Sequence, residues 1–315
     1  MREHREYQNR TKVLSTDEPI KKYFLVYEGK DTERIYFNAM NLNRDKIGIN
    51  PLIELIPILR CHREETWSNP KKITDRIIQN LGESASGKYS CESLLNAITE
   101  LIEESNENHT LADTKTIELV FNEFCSSQNY TLETQIEDLD DFCTKLKAFL
   151  SDEKSFIKPA LQTPKLLKYM KITYDKDFDK ICIIVDRDRQ SFKSTQYDQV
   201  VCACIENNFQ LYVTNPLFEF WLLLHFDDVL TMPKDKLLAN AKVKGVKRKY
   251  VEEQLNELLK KATTRSYNKT SYNTDYFIQN IDKAIKNATY FCENIDELKT
   301  NLGTNINLLI EELKE

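Results

Sequence analysis

The chain has 315 residues, 41% of them hydrophobic and 30% charged, and a formal net charge of −6. This is the profile of an ordinary soluble globular protein of about two domains, or of one domain with a large insertion, and it excludes fibrous and wholly disordered classes. Only 6 glycines leave little room for turn-rich repeats.

The opening MREHREYQNRTKVLSTDEPIKK is charged throughout, with no apolar stretch of signal-peptide length. Tyr23 to Tyr27 then forms a short apolar strand, Glu28-Gly29 a turn, and the next residues a helix capped by Asp31 or Thr32 with Glu33 in its first turn. LIELIPILR, residues 52 to 60, reads as a second extended segment interrupted by Pro57. SNPKKITDRIIQNL supplies Asn69 as a cap, Pro70 at the first helical position, and Ile73, Ile77 and Ile78 at helical spacing. These two β-α units, 20–80, make the first part of a sheet domain. From 81 to 170 the rhythm breaks into acidic amphipathic helices such as CESLLNAITELIEE and IEDLDDFCTKLKAFL, which read as a helical insertion.

FDKICIIVDRDR restores the alternation. Ile181 to Val185 is continuously apolar, the mark of a strand buried on both faces of a parallel sheet. A helix around Tyr197 to Asn207, a short strand FQLYVT, and a helix in NPLFEFWLLLHF with Asn215 as cap and Pro216 at its first position complete the second part of the domain, 171–230. Residues 231–315 read as a helical, basic C-terminal region, with TTRSYNKTSYNTDY as a polar loop. Strands alternating with helices give an α/β class with a doubly wound, mostly parallel sheet flanked by helices. The most apolar run, Phe218 to Phe226, is too short to span a bilayer, so a cytoplasmic protein without membrane contact is expected.

The 8 cysteines, at positions 61, 91, 125, 143, 182, 202, 204 and 292, include no C-x-x-C pair, which argues against thiolate metal ligation and for buried free thiols. Charge is uneven. Residues 81–170 carry 16 acidic and 8 basic side chains, net −8, whereas 231–290 carry 13 basic and 6 acidic, net +7. Counterion release happens only where cations meet phosphates, so an acidic total does not exclude a nucleic-acid ligand.

Open parallel sheets bind ligands beyond the carboxyl ends of their strands. Glu28 and Asp186 both stand there, and Asp188 faces the same way as Asp186 if the chain stays extended. Such carboxylates suit a hard cation such as Mg²⁺. Each also has an ordinary alternative as a helix cap, and a lone D-x-D is weak evidence of metal binding. Lys30, Arg34, Arg187, Arg189 and Lys193 could neutralise a phosphate or remain solvated surface cations. The run KVKGVKRKY, with Lys244, Lys247, Arg248 and Lys249, is the best candidate for contact with a nucleic-acid backbone, and a solvated lysine face stays equally open. Glu33 and Glu219 sit in first helical turns, where a carboxylate also suits the helix dipole. His225, among Leu222, Leu223, Leu224 and Phe226, reads as a core histidine ahead of a catalytic one. Trp221, Phe218 and Phe220 read as core ahead of base-stacking platforms.

Several of these segments resemble the RloB-like family of Toprim-domain proteins. FLVYEGKDTERIYF is similar to that family's first Toprim motif, with Glu28, Gly29, Thr32, Glu33, Tyr36 and Phe37 at the matching positions. FDKICIIVDRDRQSF resembles its D-x-D motif, and TNPLFEFWLLLHF its longest motif, with Thr214 where serine is usual. NLGTNINLLIEEL resembles its C-terminal motif, so the likeness covers most of the chain outside the acidic insertion, which is larger than the family pattern.

The resemblance implies a Toprim-like, Rossmannoid fold and a Mg²⁺-dependent nuclease, with Mn²⁺ as a substitute. It assigns metal binding and catalysis to Glu28, Asp186 and Asp188, with Glu28 alternatively a general base or acid, and adds Glu33 and Glu219 as further candidates. It implies phosphodiester hydrolysis in nucleic acid, with RNA and especially tRNA favoured. The setting it implies is a bacterial anti-phage or abortive-infection system, with this chain as effector under an ABC/AAA-type ATPase partner; a homodimer is allowed. Two other readings stay open: a non-catalytic subunit that binds nucleic acid or a partner, and a DNA-nicking Toprim enzyme.

Overall fold

The computed structural model describes residues 20–29, 31–58, 69–86, 89–105, 114–150, 174–189 and 191–315. Strand β1 (Lys21–Tyr27) leads into α1 (Thr32–Leu42) and the short α2 (Arg44–Ile47), and β2 (Ile53–Ile58) precedes α3 (Pro70–Ser86). Next come β3 (Tyr89–Ser90), α4 (Cys91–Ser105), α5 (Thr114–Ser127), β4 (Gln135–Ile136) and α6 (Leu139–Phe149). β5 (Lys180–Asp186), α7 (Ser194–Glu206), β6 (Gln210–Asn215) and α8 (Glu219–Leu223) follow. The C-terminal region holds α9 (Lys234–Ala239), α10 (Tyr250–Thr263), α11 (Thr274–Gln279), α12 (Ile281–Ala288), α13 (Ile295–Leu298), β7 (Gly303–Thr304) and α14 (Ile306–Lys314).

The main sheet has the order β2-β1-β5-β6-β7. Its first four strands are parallel, and β7 joins β6 antiparallel. Alternation along each central strand feeds two cores. Tyr23, Leu25 and Tyr27 of β1 and Cys182 and Ile184 of β5 pack with α1, α8 and the C-terminal helices. Phe24 and Val26, with Ile181, Ile183 and Val185, pack on the other face against Ile73 and Ile77 of α3 and Tyr197 and Val200 of α7. Burial on both faces is why these strands read as unbroken apolar runs. Pro57 lies in β2, the end strand of the sheet among the described residues, the position where a strand proline is tolerated.

The helices between the two halves of the sheet have a core of their own, built on Leu94, Leu95, Ile98, Phe121, Phe124 and Phe142. A two-stranded pairing of β3 with β4 closes it. The boundary expected at 81 falls inside α3, whose inner face belongs to the sheet domain, and residues 151–170 of the expected insertion lie outside the described residues.

Three expectations need correction. Asn215 does not cap a helix: it ends β6, pairs with Gly303, is fully buried, and donates from Nδ2 to the Leu298 carbonyl at 2.8 Å. The Asn215–Pro216 bond is cis, and α8 starts at Glu219 with Phe218 as its N-cap residue. The loop TTRSYNKTSYNTDY is polar in composition but not in placement, since it buries Tyr267 and half-buries Tyr272. Cys202 is exposed on α7, although Cys91, Cys125, Cys143, Cys182 and Cys204 are buried free thiols as expected; Cys61 lies outside the described residues. Among the described residues no helix is long and apolar enough to cross a membrane.

His225 is a core residue. It is fully buried, with Nδ1 3.1 Å from the carbonyls of both Trp221 and Leu222 and Nε2 3.2 Å from the Tyr36 hydroxyl. Two carbonyls around Nδ1 require it to carry the proton, so Nε2 accepts from Tyr36. Burial holds the imidazole neutral and lowers its pKa from 6.5 to about 3, against the opposing pull of the two carbonyls. Its contribution to stability is therefore complete above the unfolded value of 6.5 and is lost as pH falls from there towards 3, where the unfolded chain takes the proton first. Denaturant titrations should show stability falling between pH 6.5 and 5 with a slope approaching about 1.4 kcal/mol per pH unit, and the slope should flatten in His225→Gln. Equal slopes in the two proteins would mean that His225 is not neutral in the fold.

Candidate functional site

The parallel register brings the ends of β1, β5 and β6 level. Tyr27 stands opposite Ile184, and Asp186 opposite Thr214. The pairing continues past the strands, with the Glu28 N–H donating to the Ile184 carbonyl at 3.0 Å and the Arg187 N–H to the Thr214 carbonyl at 2.8 Å. Glu28 and Asp186 are thereby side by side, and the Asp186 N–H donates to Glu28 Oε2 at 2.8 Å.

Two more carboxylates join them. Glu33, buried in the first turn of α1, reaches back so that Oε1 accepts from the Gly29 N–H at 3.2 Å. A Cβ at residue 29 would meet the Glu33 carboxylate, so a side chain there would push that carboxylate away from the Gly29 N–H. Glu219, also buried, comes from the first turn of α8, and the Phe218 N–H before it donates to Asp186 Oδ1 at 2.7 Å. Burial together with the charges of Glu33, Glu28 and Glu219 pushes the Asp186 carboxyl well above its usual range, with the Phe218 N–H opposing the shift. The first-turn positions of Glu33 and Glu219 do suit their helix dipoles, but both side chains are turned into a shared acidic cluster.

Asp188 has a different setting. Its Oδ2 is 3.5 Å from Lys249 Nζ, and both residues line a cavity of about 190 Å³ beyond the ends of β5 and β6. Asn215, Leu217, Leu238 and Arg189 also line it. β5 ends at Asp186, the backbone pairing runs one residue further to Arg187, and Asp188 lies beyond it.

The expected phosphate contacts divide similarly. Arg187 is buried and spends its guanidinium on the carbonyls of Lys299 and Phe192 and on Ser194 Oγ, with the Phe192 and Tyr197 rings beside it. Arg187 also lines the cavity beside Asp188, but in this arrangement its guanidinium is engaged by the protein's own carbonyls rather than free for a phosphate. Arg189 is exposed and donates to the Thr300 carbonyl, Lys193 is exposed before α7, and Arg34 lies 3.6 Å from Asp31. Lys30 lies outside the described residues. Residues 242–249 form a tight turn: Lys242 and Lys249 pair as an antiparallel bridge, Gly245 has φ 82°, and Lys244 and Lys247 are exposed at its tip. Arg248 is held by Glu253 at 3.3 Å and by the Tyr267 carbonyl at 3.1 Å. Phe218, Phe220 and Trp221 are buried core, so they offer no platform for bases.

Sequence reading missed the far wall of the cluster. Tyr267 donates to Glu219 Oε1 at 3.0 Å, and Lys269 Nζ lies 2.9 Å from the same oxygen and 3.3 Å from Glu252 Oε1. The Tyr272 hydroxyl donates to the Thr32 carbonyl at 2.7 Å, tying the 264–273 loop to the start of α1. The signal that could have found it was the pair of tyrosines in an otherwise polar stretch, since a loop that carries aromatic side chains tends to bury them.

Could these residues hold a cation? The donor chemistry fits a hard divalent ion, because every candidate ligand is a carboxylate and Asp186 carries the strain of neighbouring negative charge. The arrangement is not a finished cage: among the described residues no three His, Cys, Asp or Glu side chains are grouped so that they could hold a metal ion as they stand. Each carboxylate of the cluster already accepts a hydrogen bond from within the protein.

The sequence pattern of the RloB-like protein family matches residues 23–313, from within β1 to α14. No curated protein and no solved structure matches the chain. The match spans both halves of the sheet, the acidic cluster and the loop that closes it, and on that ground the chain belongs to the RloB-like family.

Proposed function

We propose that the chain is a divalent-cation-dependent Toprim-type nuclease that hydrolyses phosphodiester bonds in nucleic acid, with RNA and tRNA in particular as the preferred substrate. The carrying observation is Asp186, at the carboxyl end of a central parallel strand, with Glu28, Glu33 and Glu219 around it and its own carboxyl pushed up by burial and by their charge. Accumulated, partly desolvated negative charge at that point of an open sheet calls for a cation and an anionic ligand. Mg²⁺ or Mn²⁺ as the ion, a role as effector of a bacterial anti-phage or abortive-infection system, and control by an ABC/AAA-type ATPase follow from the resemblance to the family alone.

Glu28 and Asp186 would hold the ion, with Glu33 or Glu219 as further ligands and Asp188 on the cavity side. Bound there, a divalent cation supplies Lewis-acid stabilisation of phosphate charge and lowers the pKa of a coordinated water. The chain's own residues orient and screen. The Asp186 N–H fixes the Glu28 carboxylate at a strand end, where it can accept a proton from an attacking water. Lys244 and Lys247, exposed on the 242–249 turn, supply backbone contact, and Lys249 beside Asp188 lies between that turn and the cavity. One observation favours the alternative of a non-catalytic binding subunit, namely that the carboxylates are not grouped for coordination as they stand.

Purified protein with end-labelled tRNA, single-stranded RNA or DNA, in Mg²⁺ or EDTA, separates the readings. Asp186→Asn keeps side-chain size and removes one charge, so it should cut cleavage by about 100-fold or more and leave the melting temperature unchanged or higher, as repulsion from Glu33, Glu28 and Glu219 is relieved. Cleavage by the variant at the wild-type rate would sink the catalytic reading and leave the binding one. Neutralising Lys244 and Lys247 together should reduce the log–log salt slope of nucleic-acid binding by about one unit for each phosphate that is no longer neutralised. An unchanged slope would make the turn a solvated face only.

A further inference from the structure

Lys269 stands on the Glu219 side of the acidic cluster. Its ammonium is 2.9 Å from Glu219 Oε1 and 3.3 Å from Glu252 Oε1, and the Glu219 side chain is only 3% exposed. The backbone beneath it is anchored from several directions. Tyr267 donates its hydroxyl to Glu219 and its N–H to Asn256 Oδ1 at 3.1 Å, while Tyr272 grips the Thr32 carbonyl. The Thr32 hydroxyl lies 3.5 Å from the Lys269 carbonyl. The lysine side chain itself is 54% exposed, so part of its flexible stem already meets water.

An oxygen that ligates Mg²⁺ or Mn²⁺ does so at about 2.1 Å. An ammonium still hydrogen-bonded to that oxygen would then lie close to a doubly charged ion, and in a partly desolvated cluster such like charges repel strongly. Of the two cations, the lysine is the one that can move, being a compact, strongly hydrated charge on a flexible stem. This also accounts for the mismatch between a ligand set of the right chemistry and a grouping that is not ready to coordinate: Glu219 is held to the loop side by Tyr267 and Lys269.

We infer that the Lys269 ammonium is a tethered counter-ion that occupies the Glu219 side of the acidic cluster in the ion-free protein and must give up Glu219 when a divalent cation binds. This deepens the proposed function and rests on its reading of the cluster as a cation site. In the ion-free protein Lys269 keeps Glu219 neutralised, which limits repulsion within the cluster and weakens divalent-ion affinity. Once displaced, the same amine is on the open side of the site, within the reach of one lysine side chain of a bound phosphate.

The test measures Mn²⁺ binding by the full chain, from the decrease of the free-ion paramagnetic resonance signal, in wild type, Lys269→Met and Lys269→Arg. Lys269→Met should bind Mn²⁺ about tenfold more tightly, as expected when a competing coupled ligand is removed, and Lys269→Arg, which keeps the charge, should bind as wild type does. Equal or weaker binding by Lys269→Met overturns the inference, as does the absence of Mn²⁺ binding to both proteins at millimolar concentration. Should Lys269→Met fail to fold, wild-type protein supplies a second readout. Brief acetylation with acetic anhydride, read on the Lys269 peptide by mass spectrometry, should proceed severalfold faster with saturating Mn²⁺ than in EDTA. An unchanged or lower rate overturns the inference. The nuclease reading fails separately: wild type that binds Mn²⁺ and releases Lys269 but cuts no nucleic acid leaves the counter-ion role standing and removes the activity. Mn²⁺-dependent cleavage with unaltered affinity in Lys269→Met does the reverse.

Discussion

Carboxylates gathered at the ends of parallel strands repel one another, and much of the surrounding structure exists to hold them. Glu28, Glu33, Asp186 and Glu219 come from two strand ends and two first helical turns, and Asp186 registers the pressure of the other three. Three of the carboxylates are opposed by main-chain N–H groups, and Glu219 by Tyr267 and Lys269. Gly29 donates to Glu33, Asp186 to Glu28, and Phe218 to Asp186. Such fixed dipoles stabilise negative charge at Glu28, Glu33 and Asp186. The demand reaches into sequence: a side chain at residue 29 would displace the Glu33 carboxylate from its place in the cluster.

The C-terminal region is part of the same construction. β7 extends the sheet beside β6, and Asn215, at their junction, ties β6 to the Leu298 carbonyl. The loop between α10 and α11 then returns to the first β-α unit, where Tyr272 holds Thr32 and Tyr267 holds Glu219. Residues more than two hundred positions apart thus form opposite walls of one site. Arg187 contributes in a similar way from within the D-x-D segment: its guanidinium binds the Lys299 carbonyl, so this cation organises the backbone behind the site. The inserted helices, by contrast, are built around a separate core.

Local pattern was enough to find the α/β class, the buried central strand, the cap at Asn69 and the acidic positions at the ends of β1 and β5. Each of these depends on interactions within a few residues or on burial of both strand faces, which hydrophobic run length records directly. The Asn69 cap is visible as Oδ1 accepting from the Lys71 N–H at 3.0 Å, because capping is an interaction two residues long. The same local rule failed at Asn215, where a buried bond to a carbonyl far along the chain displaced the capping role. Local rules also had no means of dividing the two aspartates of D-x-D, since the strand ends at the first and Lys249 draws the second towards the cavity.

The sequence by itself determined which elements form, which faces of them are apolar, and which carboxylates would stand at strand ends, because propensity, periodicity and the direction of a parallel strand are properties of short stretches of chain. Only the tertiary structure decided which charges meet. Glu33 and Glu219 became part of the cluster, Arg187 was removed from the surface, and Lys269 was brought onto Glu219 across a separation of 50 positions. Electrostatic energy depends on distance and local dielectric, and neither is written in the order of residues until the sheet, the loop and the C-terminal helices are packed together.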